Sequence, residues 1–148
     1  MIKVDVRFES FDVGLEMSGL SDLGGGAVAS FVGQVRGDGK VAALELEHYP
    51  VMTEKALRDI AETADDRWPL HGITIIHRVG KMLLGEQIVL VCTSSDHRKA
   101  ALESCSYIMD RLKTDAPFWK KQWNRDGSSE WVEERQSDLD AKDEWRAD

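Results

Sequence analysis

Three lysines bracket one proline: Lys113 falls near the end of a helical stretch, and Lys120 and Lys121 follow the break at Ala116-Pro117-Phe118-Trp119. Pro117 has no N–H and biases Ala116 away from helical angles, so the helix carrying Lys113 stops within a residue or two. Upstream, Ser94-Ser95-Asp96-His97-Arg98 precedes an apolar stripe of Ala101, Cys105, Ile108 and Leu112. Ser95 or Asp96 is therefore expected to cap a helix whose first turn holds His97 and Arg98. Cations are disfavoured at that positive helix end, and an anion held between them and the free N–H groups would account for them. Two chemistries suit this set: binding of a phosphate or carboxylate, and proton transfer by an amine whose pKa neighbouring cations draw toward neutrality. Lys113 also has a plainer reading, because a cation at a helix C-terminus gains about 0.3–1 kcal/mol from the dipole. Met109 lies four residues before Lys113 on the same face, as an apolar wall beside the amine.

The elements that must position these groups follow from periodicity. Residues 2–8 alternate as a strand with Ile2, Val4, Val6 and Phe8 on one face, and residues 11–20 suit a short helix. Gly24-Gly25-Gly26 lacks the Gly-Lys-Ser/Thr of a Walker loop and reads as a flexible connection. Residues 27–36 and 41–49 read as two strands of a hairpin turned by Gly37-Asp38-Gly39-Lys40, with Arg36 at its mouth. Pro50 opens an amphipathic helix to about residue 68, and 73–79 and 87–93 are apolar strands. His77, within the first of these, reads as structural. A helix of about 17 residues is roughly 25 Å long, so His97 and Lys113 cannot meet one small group unless the ligand is extended, a peptide tail enters or a second subunit contributes.

Composition narrows the class. A chain of 148 residues with 42% hydrophobic and 31% charged residues is expected to fold as a single domain, residues 1–148, with 137–148 as a charged tail. No apolar run approaches membrane-spanning length, and the N-terminus alternates rather than forming a secretion signal, so a cytoplasmic location is expected. Cys92 and Cys105 read as small buried hydrophobes, and no metal site is expected. The net charge of −8 argues against nucleic acid as a partner. Residues 97–125 nonetheless carry seven Lys and Arg against three acids. That island forms an anion pocket or pairs with the acidic tail.

Five blocks in order, FVGQVR (31–36), LEHYPVMTEKAL (46–57), HRVG (77–80), SSDHR (94–98) and MDRLKTDAPFWKK (109–121), resemble the large subunit of molybdopterin synthase. The resemblance implies an α+β fold of the α/β-hammerhead type with an additional antiparallel β subdomain, forming a homodimer within a heterotetramer. It implies a small ubiquitin-like partner ending in a Gly-Gly thiocarboxylate, which gives its sulfur to cyclic pyranopterin monophosphate to form the dithiolene of molybdopterin. No metal or cofactor is implied, and neither nucleic acid nor membrane is a partner. By motif position, Lys113 and Lys120 take the catalytic places. Gln34, Val35, Arg36, His97, Arg98, Lys121, Gln122 and Arg135 fall on the substrate-binding surface, with Phe31 and Met109 as pocket walls. Arg135 resembles an arginine that reaches the pocket from the opposite subunit. Gln122 departs from the acidic residue expected there, and the 37–40 turn is short. Two other readings stand beside this one: a non-catalytic anion- or nucleotide-binding regulator, and a dimerisation module whose cations pair with the tail. In the last, deleting 137–148 costs stability, whereas the enzyme reading expects little change.

Overall fold

The computed structural model describes residues 1–37, 39–132 and 136–145. Its first sheet has the order β1 (Ile2–Arg7), β4 (Leu70–Arg78), β6 (Gln87–Ser95), β2 (Ala27–Gln34), with β1 parallel to β4 and the other pairs antiparallel. Strand alternation divides its side chains between two helical layers. Ile73, Ile75, Val89 and Val91 pack with Leu57, Ile60 and Ala64 of α2 (Pro50–Arg67) and Ala101, Cys105 and Ile108 of α3 (Arg98–Asp115). Ile76, Leu90 and Cys92 face the other way, onto Leu20 of α1 (Val13–Ser21) and the preceding Phe11. Asp12 caps α1 by accepting the Leu15 N–H at 3.0 Å, and Pro50 opens α2 where its missing N–H is not needed.

The second sheet is antiparallel, β5 (Gly80–Leu83), β3 (Val41–His48), β7 (Phe118–Asn124), β8 (Ser129–Val132). It overturns the expected hairpin: β2 and β3 belong to different sheets. Turn chemistry at 37–40 is local, but strand partners are set by burial, and β2 finds β6 while β3 finds β5 and β7. Between the sheets Val35 donates to the Glu86 carbonyl at 2.9 Å and accepts from the Gly85 N–H at 2.8 Å. The crossover from β4 to β5 turns on Gly80 at φ +88°, a left-handed conformation that suits glycine, and it reroutes the chain from the first sheet into the second. Strand β5 was not evident in the sequence. Phe8 lies beyond β1 and is exposed, so it does not join the face of Ile2, Val4 and Val6.

The helix α3 starts one or two residues later than expected, with His97 as an N-cap that makes no side-chain capping bond. Neither Ser95 nor Asp96 caps it, because the hydroxyl of Ser95 donates to the Pro69 carbonyl at 2.7 Å and Asp96 pairs with His71 at 2.7 Å. At the other end Ala116 leaves helical geometry (φ −82°, ψ 129°) ahead of Pro117, and Thr53 of α2 donates to the Pro117 carbonyl at 3.3 Å. The tail contains a further helix, α4 (Gln136–Asp143), followed by Trp145 packed edge-on against Trp68 and Tyr107. One ion pair between tail and island has the tail supply the cation: Lys142 meets Asp115 at 2.7 Å.

Candidate active site

The two sheets and the C-terminal end of α3 enclose a cavity of about 440 Å³. Strand β2 contributes Phe31, Gly33 and Gln34, with Arg36 just beyond it; β3 contributes Leu44 and Leu46; α3 contributes Met109, Leu112 and Lys113. Phe118 and Lys120 enter from β7 and His77 from the end of β4. The cavity needs Gly33, since a Cβ there would stand 2.8 Å from Val89 Cγ1 and 3.4 Å from Phe31 Cε1. Register explains the lysine: Lys120 is paired with Leu46 and Phe118 with His48, so alternate β7 residues share the cavity face.

Of the residues expected from sequence, Lys113, Lys120, Gln34, Arg36, Phe31 and Met109 all line this one space. Others lie elsewhere. Lys121, one step along β7, projects from the opposite face, its amine 5.0 Å from the Trp123 ring and 5.4 Å from that of Trp131. Gln122 returns to the Lys120 side of the strand, but its amide donates to Asn124 at 2.9 Å and to Glu130 at 3.4 Å. Val35 is buried among Leu46 and Met82, bonded to the turn at Gly85 and Glu86. His97 and Arg98 are exposed at the far end of α3, whose 18 residues span roughly 27 Å. Arg135 lies outside the described residues.

Two groups were missed. Phe118 was known only as part of the break after Pro117, yet it forms a wall. His77 was read as structural, but it continues the period-two series of Ile73 and Ile75 toward Lys113, and that spacing was the available signal. Its ring stacks on Phe118 with centroids 3.9 Å apart and planes 20° from parallel. Burial, opposed by the bond to the Arg78 carbonyl and reinforced by Lys113, Lys120 and His48, lowers its pKa to about 4. The imidazole is neutral at pH 7. Cys105 and Cys92, by contrast, are pushed up by burial to about 11 and about 12, which leaves them protonated and unreactive.

No carboxylate is found among the described lining residues. Two amines, a guanidinium and a neutral imidazole over apolar walls make a site for an anionic, partly flat ligand. The chain is thus of the α+β class, with two amines and a guanidinium lining a seam between two sheets. The model of the family described as MoaE protein matches residues 6–115, and the chain belongs to that family. The molybdopterin synthase catalytic subunit of Vibrio cholerae is 49% identical, over 97% of each chain. Among solved structures, the molybdopterin biosynthesis MoaE protein of Burkholderia ambifaria is 47% identical with a TM-score of 0.83, covering 98% of each chain. The molybdopterin synthase of Staphylococcus aureus is 32% identical with a TM-score of 0.80, covering 86% of this chain and 95% of that one.

Proposed function

We propose that this chain is the catalytic subunit of a molybdopterin synthase, a sulfurtransferase of molybdenum cofactor biosynthesis. It takes sulfur from the C-terminal thiocarboxylate of a small ubiquitin-like partner and places it on cyclic pyranopterin monophosphate, forming the dithiolene of molybdopterin. The observation that carries the residue assignment is the convergence of Lys113, Lys120 and Arg36 on one cavity with no described carboxylate. Thiocarboxylate and phosphate are both anions and repel each other, so their encounter needs fixed positive charge in a site partly shielded from water. Lys113 at the helix break serves as proton donor and acceptor, and Lys120 orients and neutralises the substrate. Phe31, Phe118 and Met109 give the heterocycle an apolar wall.

His97, Arg98 and Arg135 belong to the substrate surface in this reading as contributions of a second copy, because α3 is too long for its two ends to share one small ligand. Two copies, each with one small subunit, make the working assembly. The whole chain acts as one domain, in the cytoplasm. The name shared by the relatives, catalytic subunit, favours this reading over a non-catalytic anion-binding regulator.

The test is single-turnover assembly of purified chain, cyclic pyranopterin monophosphate and thiocarboxylated small subunit, with product followed by mass and by fluorescence after oxidation. Lys113→Ala is expected to slow product formation by about 10²–10⁴-fold, the range for loss of a general acid or base. Lys120→Ala is expected to weaken substrate binding as well as slow the reaction. Near wild-type turnover in both variants overturns the assignment.

A further inference from the structure

We propose that His77 is a substrate-binding residue of this cavity, the side-chain hydrogen-bond acceptor that receives an N–H from the edge of the bound heterocycle. The inference rests on the substrate reading of the cavity given above and adds to it the means of orienting the flat ring. Lys120 and Arg36 offer only donors, and so does Lys113 while it carries its proton. They suit the anionic groups, and the Lys113 lone pair, when free, is taken up in proton transfer. Gln34 has an acceptor oxygen, but it lies exposed on the edge strand β2, whereas His77 stands between the sheet and Phe118.

The tautomer follows from geometry. Nδ1 is 2.8 Å from the Arg78 carbonyl oxygen, which can only accept, so Nδ1 carries the hydrogen. A neutral imidazole has one N–H, and the lone pair is then on Nε2. Nε2 meets no hydrogen-bond partner among the described residues, and it is not one of their sealed, unsatisfied polar atoms. The groups that face the ring are Lys113 from α3, Lys120 from β7 and His48 from β3, with Arg36 beyond β2 lining the same space. Lys113, Lys120 and His48 each disfavour a second proton on the ring. Stacking on Phe118 holds the imidazole plane, so the Nε2 lone pair has a fixed direction.

The first test uses the unaltered chain, uniformly labelled with ¹⁵N, its histidine rings observed by long-range ¹H–¹⁵N correlation and its backbone amides, Phe31 and Met109 among them, by one-bond correlation. The expected spectrum at pH 7 shows His77 with the hydrogen on Nδ1 and an unprotonated Nε2, and adding cyclic pyranopterin monophosphate shifts Nε2 in the sense of a lone pair accepting a hydrogen bond. The second test measures turnover with the small subunit present. His77→Phe keeps an aromatic ring on Phe118 and is expected to raise the KM for substrate about 5–10-fold, the fold-change equivalent to one lost hydrogen bond, with kcat nearly unchanged. His77→Gln, which restores an acceptor, recovers part of the loss. An imidazolium or an Nε2–H tautomer at pH 7 overturns the proposal. So does an Nε2 resonance that ignores substrate while the Phe31 and Met109 signals respond, an outcome that leaves the proposed function standing. Substrate that perturbs none of these residues overturns both.

Discussion

Replacing Trp145 with alanine tests whether the tail is part of the folded structure. The ring sits in an aromatic cluster, edge-on to Trp68 at 5.8 Å and 79° and to Tyr107 at 5.6 Å and 81°. Each such pair contributes about 0.5–1.5 kcal/mol beyond the area buried. Its indole N–H donates to the Asp110 carboxylate, and its carbonyl accepts from Arg67 at 2.9 Å. Full burial would put the loss at about 3–5 kcal/mol, but this ring is partly exposed and Asp110 can rehydrate, so about 2–3 kcal/mol is expected. For a chain near 150 residues, each kcal/mol moves Tm by about 2–4 °C, giving a fall of roughly 5–10 °C. Thermal unfolding followed by far-ultraviolet circular dichroism reads this directly. Lys142→Ala, which removes a partly exposed ion pair to Asp115, should cost less, about 0–1 kcal/mol. A Tm unchanged within a degree in Trp145→Ala refutes the docking. The charge-based reading of the sequence tied any cost of deleting the tail to a non-enzymatic role; the aromatic cluster makes that cost a property of the fold, whatever the activity.

Two further outcomes test the cavity. Gly33→Ala places a methyl 2.8 Å from Val89 Cγ1, in a position lined on both sides, and is expected to cost about 1–3 kcal/mol by overpacking while raising the KM for substrate. Unfolding curves and turnover on the same preparation check both, and wild-type values in each would mean the strand yields freely. His77 gives a pH signature. Its folded pKa of about 4 lies below the 6.5 of the unfolded chain, so as pH falls the unfolded chain takes up the proton first. The stabilisation is complete above pH 6.5 and is lost between 6.5 and 4. Its size is on the order of 2 kcal/mol, less than the full shift would give because cavity water reaches the ring. Urea unfolding of wild type and His77→Phe at pH 7 and pH 4.5 isolates it, and equal pH dependence in the two proteins counts against a neutral buried imidazole. The carboxylates of Glu86, Asp96 and Asp115, held below their usual range by hydrogen bonds and nearby cations, contribute mainly below that window.

What the sequence revealed and what it concealed divide along the range of the interactions. Helices α2 and α3 were legible because their cause is local: an apolar stripe at 3.6-residue spacing, a proline at the start of one and after the end of the other. Strands β4 and β6 were legible as apolar runs. Pairing was not. Gly37 to Lys40 has the chemistry of a hairpin turn, yet the strand before it pairs with β6, some sixty residues on, and nothing near the turn records that partner. The cap of α3 failed for a related reason, since Ser95 and Asp96 are claimed by Pro69 and His71, both distant in sequence. Among the cavity residues, Lys113, Lys120 and Met109 stood out at the helix break and Arg36 at a strand end, while their roles and the place of Phe31 came from motif resemblance; His77 had a period-two signal, but using it, like placing Phe118, required knowing which sheet faces meet.

The seam between the sheets explains why cations gather here. Strand alternation sends Lys120 to the cavity and Lys121 to the far face, where it lies over Trp123 and Trp131 beside Lys81 and Glu45. The two lysines that look equivalent in sequence therefore serve different faces, and only one can meet a ligand in the cavity. Helix length imposes the same discipline on α3: it delivers Lys113 to the seam and necessarily carries His97 and Arg98 away from it. A single copy thus supplies the amines, the guanidinium of Arg36 and the imidazole acceptor. The cations at the helix start lie at the far end of α3 and reach this cavity, in the proposed reading, from a second copy. The charge of the site is set by geometry more than by composition, and an acidic chain can hold a cationic pocket where, among the described residues, no acid lines it.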